Sequence, residues 1–205
     1  SAFDNLPSSF QEYLIGYVAS KVAQKNEQNI WAGAVAEGSF DGFATLLAAD
    51  AAKIEVTGTT VTSANVIEEL GKVVDAIPSA LYGREDLHIY VAQNVFRAYK
   101  RSLGGFASGG QGAAGYMAQG NNQDVNVLFF DGVKIFMANG LASDKMVATT
   151  KDNLWFGTGL LSDHQEVKVL DMADLDGSQN VRVIMRFTAG VQYGVAADIV
   201  TYGIA

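Results

Sequence analysis

The 205-residue chain contains no cysteine, so it has no disulfide, no thiolate nucleophile and no cysteine-held metal. It has two prolines, Pro7 and Pro78, which leaves long stretches free to form uninterrupted helices and strands. Histidine is as scarce. His88 lies between Leu87 and Ile89 and reads as a structural residue of a strand. His164 follows Ser162 and Asp163, but triad members meet in space and are seldom sequence neighbours, so the trio reads as a solvated loop. The carboxylates show no pairing that fits an acid and a base. No apolar run approaches the roughly 20 residues needed to cross a bilayer. No basic segment leading into an apolar one marks a signal peptide. The chain opens on Ser1, and its first residues are not read as a natural start.

Charge is also in short supply. Charged residues make up 18% against 49% hydrophobic ones, enough for a sizeable core and too few charges for a surface wholly in water, which points to subunit contacts. The net charge is −8, which disfavours nucleic-acid binding as the main task, because an acidic surface repels phosphates. The densest basic group, Arg97, Lys100 and Arg101, falls on one predicted helix. The length fits one domain or two interleaved lobes.

Helical signals come first. Ser9 with Glu12 fits a capping box, and Phe10, Tyr13, Leu14, Tyr17, Val18 and Val22 recur at helical spacing to about Asn29. Gly33 closes this helix and Phe40-Asp41-Gly42 marks a turn. Residues 54–57 alternate as a short strand. Thr62 or Ser63 is the expected cap of a second helix, with Val66, Ile67, Leu70, Val73, Val74 and Ile77 inward and Pro78 stopping it. Leu87 to Val91 reads as a strand, and Asn94 as the cap of a third helix carrying Val95, Phe96, Tyr99 and Leu103.

Strand signals dominate after a Gly/Ala/Ser/Gln-rich loop from Gly104 to Gly120. Val125–Phe130 and Val133–Met137 flank Asp131-Gly132 as a hairpin with a two-residue turn. Further strands are expected at 145–149, 166–170, 180–187 and 198–202. Helices early and strands late give an α+β class.

Two motifs invite a chemical reading. Gly110-Gln111-Gly112-Ala113-Ala114-Gly115 matches a dinucleotide fingerprint, with Asp131 about 20 residues on. The motif needs a strand before it and a helix after, and here a helix and a loose stretch precede it, so it reads as a loop. Asp174, Asp176 and Gly177 resemble part of a calcium loop, but Met172 and Val183 stand where ligands belong. The segment reads as a hairpin turn. No cofactor and no catalytic residue is expected.

Taken in order, these segments resemble the Hong Kong 97-type major capsid proteins of tailed phages and prophages. The first helix with Asn29-Ile30-Trp31-Ala32-Gly33 and Phe40-Asp41-Gly42 looks like that family's spine helix and its glycine-marked exit. Residues 62–70 look like the next helix, and residues 87–94 are similar to the strand-to-helix step that follows. Phe130 to Ile135 resembles the family's hairpin. Asn153-Leu154-Trp155-Phe156-Gly157-Thr158 resembles its Asn-Leu-aromatic-Gly turn, and Val181 to Gly190 its strand ending in Phe-x-x-Gly-Val.

The resemblance implies a peripheral domain (1–58 and 162–192) and an axial domain (59–161 and 193–205). It implies a head protein that assembles with copies of itself, and with other virion proteins, into the icosahedral shell around phage DNA. It would do so in the host cytoplasm, without catalysis, specific nucleic-acid recognition or membrane contact. The family's N-terminal arm and extended loop are expected to be missing. By the same resemblance the hairpin tip, with Asp171, Asp174 and Asp176 and the nearby Arg182 and Arg186, would meet symmetry mates where capsomers join. The loop carrying Gly104, Gly110, Gly112, Gly115 and Gly120 would point to the capsomer axis. An encapsulin-like compartment shell shares this fold. From other classes, the Gly110–Gly115 loop would suit a small-molecule-binding enzyme domain, and the strands a surface-binding module.

Overall fold

A computed structural model describes residues 8–103, 128–159, 167–172, 177, 181–185 and 188–204. The chain divides into two compact units, one of Ser1–Asn26 with Phe156–Gly190 and one of Glu27–Trp155 with Val191–Ala205.

The first helix, α1 (Ser8–Ala32), has 25 residues and is the longest among the described residues. At 1.5 Å per residue it runs about 37 Å. It begins at Ser8, so Ser9 lies inside the helix and is not the expected cap. With no proline after Pro7 and no run of β-branched residues, nothing interrupts it. In the first unit its exposed side carries Tyr13 and Tyr17, stacked with centroids 6.4 Å apart, and Lys21 lies 5.6 Å from the Tyr17 ring. The same unit holds β7 (Val167–Asp171) and β8 (Val181–Met185), an antiparallel pair with Val167 opposite Met185 and Asp171 opposite Val181.

The second unit is built on a mixed six-stranded sheet. Its strands are β1 (Ile54–Val56), β2 (Leu87–Val91), β3 (Leu128–Phe130), β4 (Val133–Met137), β5 (Met146–Thr150) and β10 (Val200–Tyr202). The order across the sheet is β1-β10-β5-β2-β4-β3. β1 runs parallel to β10 and β2 parallel to β4, while the other neighbours are antiparallel. Two helices supply apolar faces to its core: α3 (Val66–Asp75) through Val66, Leu70, Val73 and Val74, and α4 (Gln93–Ser102) through Val95, Phe96 and Tyr99. They meet Leu87, Ile89, Val91, Ile135, Met146 and Ala148, all buried on the same sheet face. Ile67, expected inward, is 51% exposed, because the buried arc of α3 passes through 66, 70, 73 and 74 and leaves position 67 outside it.

The helix caps differ from those the sequence suggests. Asn65, not Thr62 or Ser63, adjoins α3, and its amide folds back to accept from the Thr62 N–H at 2.7 Å and to donate to the Thr60 carbonyl. Asn94 lies inside α4, whose cap position is Ala92. Its side chain instead donates to Asp144 Oδ1 at 2.7 Å and accepts from the Asp144 N–H at 3.0 Å. Asp144 has φ 63, and its carboxylate also accepts from the Val61 N–H at 2.8 Å, so this one residue ties its own turn to the segment before α3 and to the start of α4.

The exit from α1 shows why two glycines stand there. The Gly33 N–H donates to Asn29 O and the Gly42 N–H to Gly33 O, each at 2.9 Å. A Cβ on either glycine would lie 2.6 Å from the Asn29 carbonyl oxygen. A short helix that the sequence pattern does not signal, α2 (Phe43–Ala49), follows directly and packs Phe43 on Trp31 with ring centroids 5.5 Å apart.

Residues 154–158, expected as a turn, form strand β6 (Leu154–Thr158), which pairs with β9 (Ala189–Tyr193). A 3-10 turn at Lys151–Asn153 precedes β6. The glycines and exposed aromatics of these two segments break strand alternation, which hides both in the sequence.

Candidate functional site

The expected contact residues lie mostly outside the described part of the chain. Asp174, Asp176, Arg186, Gly104, Gly110, Gly112, Gly115 and Gly120 are all there, as are Ser162, Asp163 and His164. Asp171 closes β7, and exposed Arg182 stands opposite Leu170 on β8. Gly177, with φ 72, has the left-handed backbone that an Asp-Gly turn requires. The last described element before the glycine-rich loop is α4, a helix, whereas a dinucleotide fingerprint needs a strand there.

No constellation for chemistry is assembled among the described residues. No group of three His, Asp or Glu side chains among them is placed to hold a metal. No helix among them is long and apolar enough to cross a membrane. His88 is buried on β2 among Tyr90 and Phe136, with its Nδ1 lacking a hydrogen-bond partner. Burial, the largest cause, pushes its pKa below the ordinary 6.5, and the Lys134 charge acts the same way. His88 is therefore a core residue packed among aromatic rings.

A cleft of about 550 Å³ opens beside β3 and β4, lined by Tyr82, Arg84, Glu85, Phe129, Asp131 and Lys134 among others. Arg84 is already engaged, donating from Nε and Nη2 to the two oxygens of Asp86 at 2.9 and 2.8 Å. The Tyr82 hydroxyl donates to the Asp131 carbonyl at 2.9 Å. The cleft offers aromatic walls and mixed charge.

The polar groups inside the second unit serve to hold it. Glu69 is buried; its carboxylate accepts from the Tyr202 hydroxyl at 2.7 Å and from Lys72 Nζ at 2.9 Å. Burial raises the Glu69 pKa, but the Tyr202 and Lys72 bonds outweigh it and hold the group below the ordinary value. Asn153 is the densest hub. Its Nδ2 donates to Thr149 Oγ1 at 3.1 Å and to Val195 O at 2.8 Å. Its Oδ1 accepts from the N–H groups of Gly194 at 3.1 Å and Val195 at 2.7 Å. Asn153 thus pins the base of the β6–β9 ribbon, where the chain leaves the second unit and returns.

What the surface does present is apolar. Trp155 is 65% exposed, and Phe129, Phe156 and Ile67 are each about half exposed.

No protein-family model and no curated protein sequence matches the chain. Solved structures do. A chain of Mycobacterium phage Che8 superposes with a TM-score of 0.58 at 16% identity, over 90% of this chain and 60% of its own length. A chain of the capsid of the native GTA particle gives 0.59 at 13% identity, over 97% and 67%. A chain of the satellite phage P4 procapsid gives 0.57 at 9% identity, over 96% and 67%. The fold is therefore the Hong Kong 97-type capsid fold, an α+β architecture. The chain spans about 60–67% of the length of these relatives.

Proposed function

We propose that the protein is a major capsid protein, a non-enzymatic subunit that assembles with copies of itself into the icosahedral head of a tailed phage or prophage and resides in the virion. The observation that carries this reading is the fold match over 90% or more of the chain to phage and GTA particle chains. The absence of cysteine, the low charge and the exposed apolar side chains fit a subunit completed by its neighbours rather than by a ligand.

In this reading the six-stranded sheet with α3 and α4 is the axial lobe, and the first part of α1 with the β7–β8 pair is the peripheral lobe. Residues 27–58 go with the axial lobe, because β1 is an edge of its sheet and Trp31 and Phe43 are in its core. The tip between β7 and β8, carrying Asp171, Asp174 and Asp176, is the inter-capsomer contact, and the Gly104–Gly120 loop faces the capsomer axis.

Electron microscopy of the full-length protein tests the reading: rings or closed shells are expected, and a protein that stays monomeric at all concentrations would refute it. Three acidic tips meeting at a three-fold point repel unless Arg182, Arg186 or a cation offsets them. Replacing Asp174 and Asp176 with Asn is expected to change the salt and divalent-ion dependence of assembly while leaving the fold intact. Identical assembly across those conditions would make the tip an ordinary turn.

A further inference from the structure

One face of the central sheet is covered unevenly. Trp31 lies over Tyr90 of β2, with ring centroids 5.2 Å apart, and Phe43 packs on Trp31. Beyond Tyr90 the same face continues to Phe136 on β4, its register partner, and to Lys134, two residues along and so on the same side. Phe129 of β3 stands directly opposite Lys134. Among the described residues the cover ends here: Phe136 is 38% and Phe129 52% exposed, and Lys134 is exposed between them. Lys134 has no carboxylate partner among the described residues.

The complement of this patch is an exposed aliphatic side chain next to an exposed carboxylate, and α3 carries one. Ile67 is 51% exposed, and the Glu68 side chain beside it is 72% exposed. Their position is fixed, since Val66, Leu70, Val73 and Val74 anchor the helix in the core. The chain has 22 acidic and 14 basic residues, so an exposed, unpaired lysine between two phenylalanines is matched to the acidic surface of another copy.

The two patches lie on opposite sides of the unit. α3 packs over β10 and β5, whereas Phe129 is on the far edge strand β3. They cannot meet within one molecule. A contact between unlike patches on two copies is head-to-tail, and when its rotation closes it makes a ring. We infer that the Phe129–Lys134–Phe136 face of one subunit receives the Ile67–Glu68 face of α3 from the next, as the repeating contact around the capsomer; this rests on the shell reading above. Glu68 then shares its charge between Lys134 of the neighbour and its own Lys72, which lies 3.1 Å away in the single chain.

A charge swap tests this in the full-length protein, with assembly followed by sedimentation velocity and electron microscopy. Lys134→Glu and Glu68→Lys should each raise the concentration needed for ring formation by about tenfold or more, the scale of a close interfacial charge pair. The double variant should return to near the unaltered protein. Circular dichroism should show all three folded, because both side chains are exposed. If the unaltered protein assembles and either single reversal has no effect, or the double variant is no better than the singles, this contact is refuted and the shell reading stands. If the unaltered protein never assembles, both fall.

Discussion

Asn153 offers the sharpest test of how the second unit is held. The residue is 8% exposed, and all four hydrogen-bonding positions of its amide are used. Asn153→Ala removes the amide and leaves the Val195 N–H without a partner, whereas the Gly194 N–H keeps the Asn153 backbone carbonyl at 3.0 Å and the Val195 carbonyl keeps the Asp198 N–H at 3.3 Å. A typical intramolecular hydrogen bond contributes about 1 kcal/mol net, and a buried group left unpaired costs about 1–3 kcal/mol. Water reaching part of the vacated space lowers the sum, so a loss of about 2–3 kcal/mol is expected. In a chain of this size each kcal/mol moves Tm by about 2–4 °C, so the midpoint should fall by roughly 5–10 °C. Urea unfolding followed by circular dichroism measures the loss directly. Asp152→Ala is the control, because that side chain is 77% exposed and Arg84 is 3.9 Å away. Its effect should stay within about 0.5 kcal/mol. Asn153→Asp separates geometry from chemistry, since it keeps the shape and the two acceptor contacts but loses both donors. A stability loss under about 1 kcal/mol for Asn153→Ala would show that the hub is not what fixes residues 194–195.

Gly33→Ala should cost more than about 2 kcal/mol in thermal unfolding, because the new Cβ meets backbone carbonyls that cannot move away cheaply, and an unchanged Tm would refute the close approach. Glu69 has a depressed pKa, so its contribution is fully present above the ordinary glutamate value of 4.5 and is lost as pH falls through the lower folded value. Glu69→Gln should therefore flatten the acid limb of the stability curve, and an unchanged limb would show the carboxylate is not part of it. Calorimetry with nicotinamide and flavin cofactors should detect no binding, and micromolar affinity lost on changing Gly110 and Gly112 would restore the fingerprint reading.

Elements set by neighbours along the chain are legible in the amino-acid sequence itself. The β3–β4 hairpin follows from Asp131-Gly132, both at positive φ, between two apolar runs. The length of α1, the strand β2 and the buried stripe of α4 follow from local periodicity in the same way. The order of the segments carries enough information to point to the capsid fold, since that order survives where identity is 9–16%.

What the tertiary structure alone decides is what depends on distant partners. β1 at 54–56 pairs with β10 at 200–202, and no local signal says which strand a three-residue edge will join. Thr62, Ser63 and Asn94 all have the chemistry of a helix cap. None of them occupies the cap position, and the Oδ1 of Asn94, which a cap would offer to its own helix, is taken by the N–H of Asp144, fifty positions away. Ile67 fits the apolar stripe, but a ten-residue helix buries an arc only as wide as the sheet beneath it, and 67 falls outside. Asn153 has the look of a turn residue. Its role as a clamp exists only because residues 194 and 195 return to it, and that return is a property of the folded chain rather than of the segment.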